Sequence, residues 1–108
     1  MSSEVINQVA ILTAKPEKLD ELIAELANIT RKVQEDEPET TVYYAFSIAD
    51  TNEVIVVERY ANQDALERHR VAPYFQELIK KAPTLLAKPL ALKSGRHLLQ
   101  DSAQVIRL

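Results

Sequence analysis

The stretch Thr41-Val42-Tyr43-Tyr44-Ala45-Phe46-Ser47-Ile48-Ala49, followed by Asp50-Thr51-Asn52 and then Glu53-Val54-Ile55-Val56-Val57-Glu58-Arg59-Tyr60, decides the fold. Two runs of β-branched and aromatic residues flank a turn-forming triplet, the pattern of a two-stranded hairpin. Side chains alternate across a strand, so Val54, Val56, Glu58 and Tyr60 share one face and Ile55, Val57 and Arg59 the other. The first strand divides likewise into Val42, Tyr44, Phe46 and Ile48 against Tyr43, Ala45 and Ala49. Both faces of the hairpin are largely apolar, and each needs a cover.

Upstream, Val5 to Thr13 reads as a strand, and Lys15-Pro16 opens a helix because proline suits the first helical position. Leu19, Leu22, Ile23, Leu26, Ile29 and Val33 then recur at spacings of three and four, one apolar stripe on a helix of about five turns. The helix ends in Glu35-Asp36-Glu37-Pro38-Glu39, where the residue before proline is pushed out of helical geometry and a loop follows. Downstream, Asn62 caps a second helix with Ala65, Leu66 and His69 on one face. Pro73 interrupts it, the pattern resumes through Phe75, Leu78 and Ile79, and it weakens after Ala82-Pro83. Pro89 to Leu99 reads as a last strand and Gln100 to Leu108 as a tail, in which Val105-Ile106 can pair or pack. The order is strand, helix, strand, twice over: the βαββαβ pattern of α+β ferredoxin-like folds, with a four-stranded antiparallel sheet carrying both helices on one face. The other face is left for a partner sheet, most simply that of a second copy, so a homodimer is expected.

With 108 residues, 46% hydrophobic and 27% charged, the chain has the size of a single domain, residues 1–108, with its core at about 5–98. Its 13 basic against 16 acidic residues give a net charge of -3, which lacks the basic surface of a nucleic-acid binder. Residues 1–54 hold 4 basic against 11 acidic residues and residues 55–108 hold 9 against 5, so the halves can attract each other within one fold or between subunits. No apolar run reaches the length of a membrane span, and Met1-Ser2-Ser3-Glu4 does not resemble a signal peptide, so a cytoplasmic protein with no membrane partner is expected. Zero cysteines exclude disulfides, thiolate metal sites and cysteine nucleophiles. Gly95 is the one glycine, so no phosphate-binding loop exists, and His69 and His97 show no metal-ligand spacing. Neither a cofactor nor a metal is expected.

What remains is a constellation where the third strand meets the second helix: Glu58, Tyr60 and His69, with Arg59, Arg68 and Arg70 nearby. Glu58 and Tyr60 share a strand face, and His69 lies one turn beyond Ala65 and Leu66 on the apolar side of its helix, so all three can meet between helix and sheet. A histidine there suits a general base, or is a buried structural residue held by hydrogen bonds. Tyr60 either donates a hydrogen bond to a substrate oxygen or fills core volume, and Glu58 needs a partner such as His69 or an arginine if it is buried. Tyr43, Tyr44, Phe46, Tyr74 and Phe75 are candidates for an aromatic substrate pocket, or ordinary core. His97 is a second candidate base or a surface residue.

Val57-Glu58-Arg59-Tyr60, then Asn62-Gln63-Asp64-Ala65-Leu66-Glu67-Arg68-His69 and Ala72-Pro73-Tyr74-Phe75, resembles the antibiotic biosynthesis monooxygenase family: a strand with Glu-x-aromatic, a helix ending Ala-Leu-x-x-His, and a following Pro-His-Phe. With the Lys15-Pro16 helix start and the Glu37-Pro38 loop, the likeness spans residues 5–98. It implies a ferredoxin-like dimeric α+β barrel, and among its members are oxygenases of anthrones and quinols that use no metal or flavin. By this likeness Tyr60 matches the strand aromatic of the pocket and His69 the helix histidine, while Glu58 matches a glutamate of structural or catalytic role. Tyr74 stands where a second histidine is common, Tyr60 replaces a tryptophan, and Gln76-Glu77 after Phe75 departs from the haem-degrading branch. The resemblance implies a cofactor-independent monooxygenase of a small aromatic, quinol, anthrone or polyketide-like substrate and O2, with catalytic His69 and Tyr60 and substrate contacts from Glu58, Tyr44, Phe46, Tyr74 and Phe75. Two alternatives stand beside it: a polyketide cyclase or lyase that moves protons without oxygen, and a non-catalytic dimer that binds a small molecule.

Overall fold

A computed structural model of the chain describes residues 4–96 and 105. Strand β1, Ile6–Thr13, alternates buried and half-buried residues along its whole length, as a strand covered on one face does. A short 3-10 turn at Pro16–Lys18 leads into α1, Leu19–Asp36. Leu22, Leu26, Ile29 and Val33 are the buried residues of α1, the stripe its spacing predicts, whereas Ile23 at its margin is 41% exposed. Glu37 leaves the helix just ahead of Pro38. The hairpin follows as β2, Thr40–Ser47, and β3, Glu53–Tyr60, turning through Asp50 at φ 64°, a left-handed conformation that aspartate tolerates better than most residues. Then come α2, Gln63–Val71, α3, Pro73–Leu85, and β4, Ala91–Gly95.

The sheet has the order β2-β3-β1-β4, every neighbour antiparallel, which is the ferredoxin-like α+β topology. Register matches the inward residues of its two central strands: Ile6 faces Tyr60, Gln8 faces Glu58, Ala10 faces Val56 and Leu12 faces Val54. All eight are buried. Ala10, Leu12, Val54 and Val56 pack with Leu22 and Ile29 of α1 and Leu78 and Leu85 of α3, while Ile6 and Tyr60 pack with Ala65 and Leu66 of α2, and burial of each large aliphatic side chain stabilises the fold by roughly 1.5–3 kcal/mol. The opposite parity, Val9, Ile11, Ile55 and Val57, is only half-buried, and beside it Tyr44 and Phe46 are 52% and 47% exposed with their rings stacked at 6.5 Å. The sheet thus has the second apolar face that the hairpin sequence implies.

Differences from the sequence reading lie at element ends. The second helix breaks fully: Ala72 is extended at φ -61°, ψ 139°, because Pro73 excludes helical geometry from the residue before it. Pro83, by contrast, does not end α3, which runs to Leu85. The proline removes the N–H that would reach back to the carbonyl four residues before it, but the helix closes two residues later and its end is tied to β1: Lys15 has its Nζ 3.0 Å from the Pro83 carbonyl and its backbone N 2.9 Å from that of Leu85. Strand β4 pairs from Ala91 to Gly95, starting two residues after the expected Pro89, and residues 97–99 of the expected strand lie outside the described residues. His97 and the tail 100–108, apart from Val105, lie outside the described residues. Among the described residues no helix is long and apolar enough to cross a membrane.

Candidate functional site

The site is built by the chain's path from β3 into α3. Asn62 starts α2 by accepting a hydrogen bond from the Ala65 backbone N at 2.9 Å, which fixes Ala65, Leu66 and His69 as the buried face of the helix. The break at Ala72 then turns α3 back so that Phe75 packs on His69, with ring centroids 5.1 Å apart. Tyr43 at 5.3 Å and Tyr60 at 5.6 Å complete an aromatic cage around the imidazole, which is only 3% exposed.

Inside that cage His69 Nδ1 lies 3.0 and 3.1 Å from the two carboxylate oxygens of Glu37. Glu37 is itself buried, and also accepts from Thr40 Oγ1 at 2.6 Å and from the Tyr74 hydroxyl. Burial works to raise its pKa, but the hydrogen bonds from His69, Thr40 and Tyr74 outweigh it and hold the carboxyl below its ordinary value. Facing an ionised carboxylate, Nδ1 is the ring nitrogen placed to donate, and in the neutral imidazole that tautomer puts the lone pair on Nε2. Among the described residues Nε2 has no hydrogen-bond partner. His69 lines a mostly apolar cavity of about 240 Å³. A dry cavity of roughly 150 Å³ already takes benzene, so a compact aromatic ring fits.

Glu58 lines the same cavity and is 5% exposed. Its Oε1 accepts from Gln8 Nε2 at 2.9 Å and from the Tyr60 hydroxyl, and Ser94 Oγ, 2.6 Å from Gln8 Oε1, sets the orientation of that amide. Burial raises the Glu58 pKa above its ordinary value against the opposing pull of Tyr60, His69 and Gln8. Glu37 and Glu58 are thus held in opposite directions, one toward the anion and one toward the neutral acid. The hydroxyls of Tyr43, Tyr60 and Tyr74 are all pushed up, first by burial and then by these carboxylates, so the phenols stay neutral.

Of the residues singled out in the sequence, His69, Glu58 and Phe75 meet on the cavity wall. Tyr74 stands behind them, tied to Glu37. Two placements are corrected. Tyr60 is wholly buried with its hydroxyl donating to Glu58, and it is Glu58, not Tyr60, that lines the cavity. Tyr44 and Phe46 sit on the far face of the sheet, in register with Val57 and Ile55, and it is Tyr43, opposite Glu58, that reaches the cavity. Arg68 pairs with Glu39, Arg70 Nη1 lies 3.4 Å from Glu67 at the cavity rim, and Arg59 Nε donates to Asn7 at 2.8 Å on the open face. Glu37 and Gln8 escaped the sequence reading. Gln8 carried a signal, a polar residue at an inward position between Ile6 and Ala10, and Glu37 carried only its fixed place before Pro38.

The model of the family described as antibiotic biosynthesis monooxygenase matches residues 5–81, from β1 into α3. A Synechocystis sp. protein, sll1783, is 36% identical over 84 residues, covering 76% of this chain and 56% of that protein, so the chain spans little more than half of this relative. YcnE of Bacillus subtilis is 24% identical over 81 residues, covering 75% of this chain and 85% of YcnE. The structure of Rv0793 from Mycobacterium tuberculosis superposes with a TM-score of 0.82 at 24% identity, covering 91% of this chain and 99% of that one, a likeness of fold. The family match spans most of the described chain and includes Glu58, Tyr60, His69 and Phe75, and so this chain belongs to the antibiotic biosynthesis monooxygenase family.

Proposed function

We propose that the chain is a cofactor-independent monooxygenase of a small, electron-rich aromatic of the quinol, anthrone or polyketide kind, with His69 Nε2 as its base. The observation that carries this reading is the Glu37–His69 pair opening onto an apolar cavity. The carboxylate fixes the tautomer and holds the ring, and the imidazolium that forms on proton transfer stays paired with it. A substrate deprotonated in an apolar pocket is a strong reductant toward O2. For an anthrone-like methylene the balance closes without another reagent, since CH2 and O2 give C=O and H2O. Family membership supports the reaction class, as does the name of YcnE, which provisionally calls that protein a monooxygenase.

A second copy covering the open face of the sheet belongs to the same proposal. Val9, Ile11, Ile55, Val57, Tyr44 and Phe46 form an apolar surface of the kind that sheets bury against one another. Oxygen uptake by metal-stripped protein over a panel of anthrones and quinols tests the activity, beside His69→Ala and a no-enzyme control. Uptake above the control that falls in His69→Ala supports it. Substrate conversion that persists under strict anaerobiosis replaces oxygenation with cyclase or lyase chemistry, and binding without turnover makes the cavity a ligand site.

A further inference from the structure

Two buried carboxyl groups stand in different relations to the cavity. Glu37 is on the far side of His69 and serves the imidazole, whereas Glu58 is on the cavity wall. Both donors that reach Glu58, Gln8 Nε2 and the Tyr60 hydroxyl, converge on Oε1. Among the described residues nothing bonds to Oε2. The carboxyl is therefore anchored by one oxygen, and the other is left for whatever enters.

We propose that Glu58 is the acid of this site: as a neutral carboxylic acid it donates a hydrogen bond from Oε2 to the oxygen of a phenol or enolisable carbonyl while His69 Nε2 takes the substrate proton. The proposal rests on the base reading of His69 given above. In the step, the O–H bond of a phenol, or the C–H bond beside a carbonyl, breaks toward Nε2. Its electron pair stays on the substrate, and the oxygen that gains the charge accepts the Glu58 hydrogen bond. No electron leaves the pair, so the step needs no oxidant. A donor held in a dry site stabilises such an oxyanion more than water does, because it is already oriented when the charge appears.

The surroundings favour the neutral form. The groups that face Glu58 are Gln8 from β1, Tyr60 on its own strand, Tyr43 from β2 and His69 from α2, with Glu37 more distant and Arg70 of α2 at the cavity rim, half-exposed and paired with Glu67. Gln8 and both tyrosines are uncharged, and His69 is already committed to Glu37 through Nδ1. Burial raises the Glu58 pKa. Proton transfer from substrate then creates one ion pair, imidazolium beside Glu37, and one anion facing an acid, instead of two anions facing each other.

The test uses 4-nitrophenol, a one-ring phenol whose ionisation is read by its visible phenolate absorbance, titrated with pH in the presence of wild-type protein, Glu58→Gln and His69→Gln. Wild type is expected to bind the probe and lower its apparent pKa, and His69→Gln to abolish the effect. The sign of the Glu58→Gln change is decisive. If Glu58 is a neutral acid, the amide is a weaker donor, and the ionisation constant of the bound probe falls roughly tenfold, about one pKa unit. If Glu58 were an anion, removing its charge would promote ionisation, and this result, or no change, overturns the proposal. Failure of folded wild type to bind the phenol at all also overturns it. Loss of the shift in wild type, with His69→Gln indistinguishable from it, overturns the base reading as well, whereas absence of oxygen uptake touches only the reaction class. Should Glu58→Gln not fold, the infrared C=O stretch of a protonated carboxyl in [13C]glutamate-labelled wild type at neutral pH takes its place: its presence supports the proposal and its absence overturns it.

Discussion

Replacement of Glu37 by Leu removes the acceptor of three donors at once: His69 Nδ1 at 3.0 Å, Thr40 Oγ1 at 2.6 Å and the Tyr74 hydroxyl. Hydrogen bonds to a charged group contribute about 1.5–3 kcal/mol each, and a buried donor left without a partner adds its own desolvation cost. Half-buried Thr40 and Tyr74 can turn toward water, so their share is discounted, and the loss is dominated by the His69 bond. A total of about 3–4 kcal/mol follows. With a urea slope of about 1.5 kcal/mol/M, the midpoint of unfolding falls by roughly 2 M. The loss depends on pH with a definite sign. The folded-state pKa of Glu37 lies below its unfolded value, so its ionisation stabilises the fold fully above the unfolded value, near 4.3, and that contribution fades as pH drops through the folded value. Urea unfolding of wild type and Glu37→Leu, followed by circular dichroism from pH 7 downward, reads both quantities. The gap between the two proteins should be widest at pH 7 and narrow toward acid. A midpoint shift under about 0.3 M, or a gap that stays constant with pH, refutes the reasoning.

Phe46→Glu, on the far face of the sheet, is expected to give a monomeric mass by light scattering at micromolar concentration where wild type gives a dimer, and to leave the circular dichroism spectrum unchanged. A wild-type monomer would sink the second-copy proposal directly. Pro83→Ala restores an N–H within α3 while keeping the carbonyl that Lys15 binds, and should raise stability by about 1 kcal/mol, reduced from the full mid-helix value because the site is close to the helix end. A lowered thermal midpoint would show that the proline ring packs usefully there.

Strand and helix order was legible because periodicity changes sharply along the chain: Leu22, Leu26, Ile29 and Val33 repeat as a helix does, and Val54, Val56, Glu58 and Tyr60 as a strand does. Element ends were less so, since Pro83 looks the same in sequence whether it stops a helix or sits in its last turn. The site divides along the same line. His69 was found because the spacing from Ala65 and Leu66 points it inward, a local property. The assignment of Tyr44 and Phe46 to the pocket failed because both parities of β2 are apolar, so composition does not say which one faces the helices. That choice is made by pairing, with Tyr43 set opposite Glu58 and a register shift between Thr40 and Val42. Glu37 was hidden for another reason. Four acidic residues surround Pro38, and only tertiary packing, α1 against α3 and α3 against α2, decides that this one turns inward to meet an imidazole 32 positions away.

The position of β1 in the middle of the sheet bears on how the chain assembles during synthesis. Its first edge is closed by β3, complete at Tyr60, and its second only by β4, complete at Gly95, 35 residues later. At about 5–20 residues per second, that second edge waits roughly 2–7 s after the hairpin has docked. During this interval a strand carrying Val9 and Ile11 presents unpaired backbone N–H and C=O groups to every nascent neighbour, the geometry from which intermolecular sheets grow. The strand that finally shields it is five residues long and exposed along its whole length, so the order of translation, and not only the depth of the core, sets how safely this protein is made.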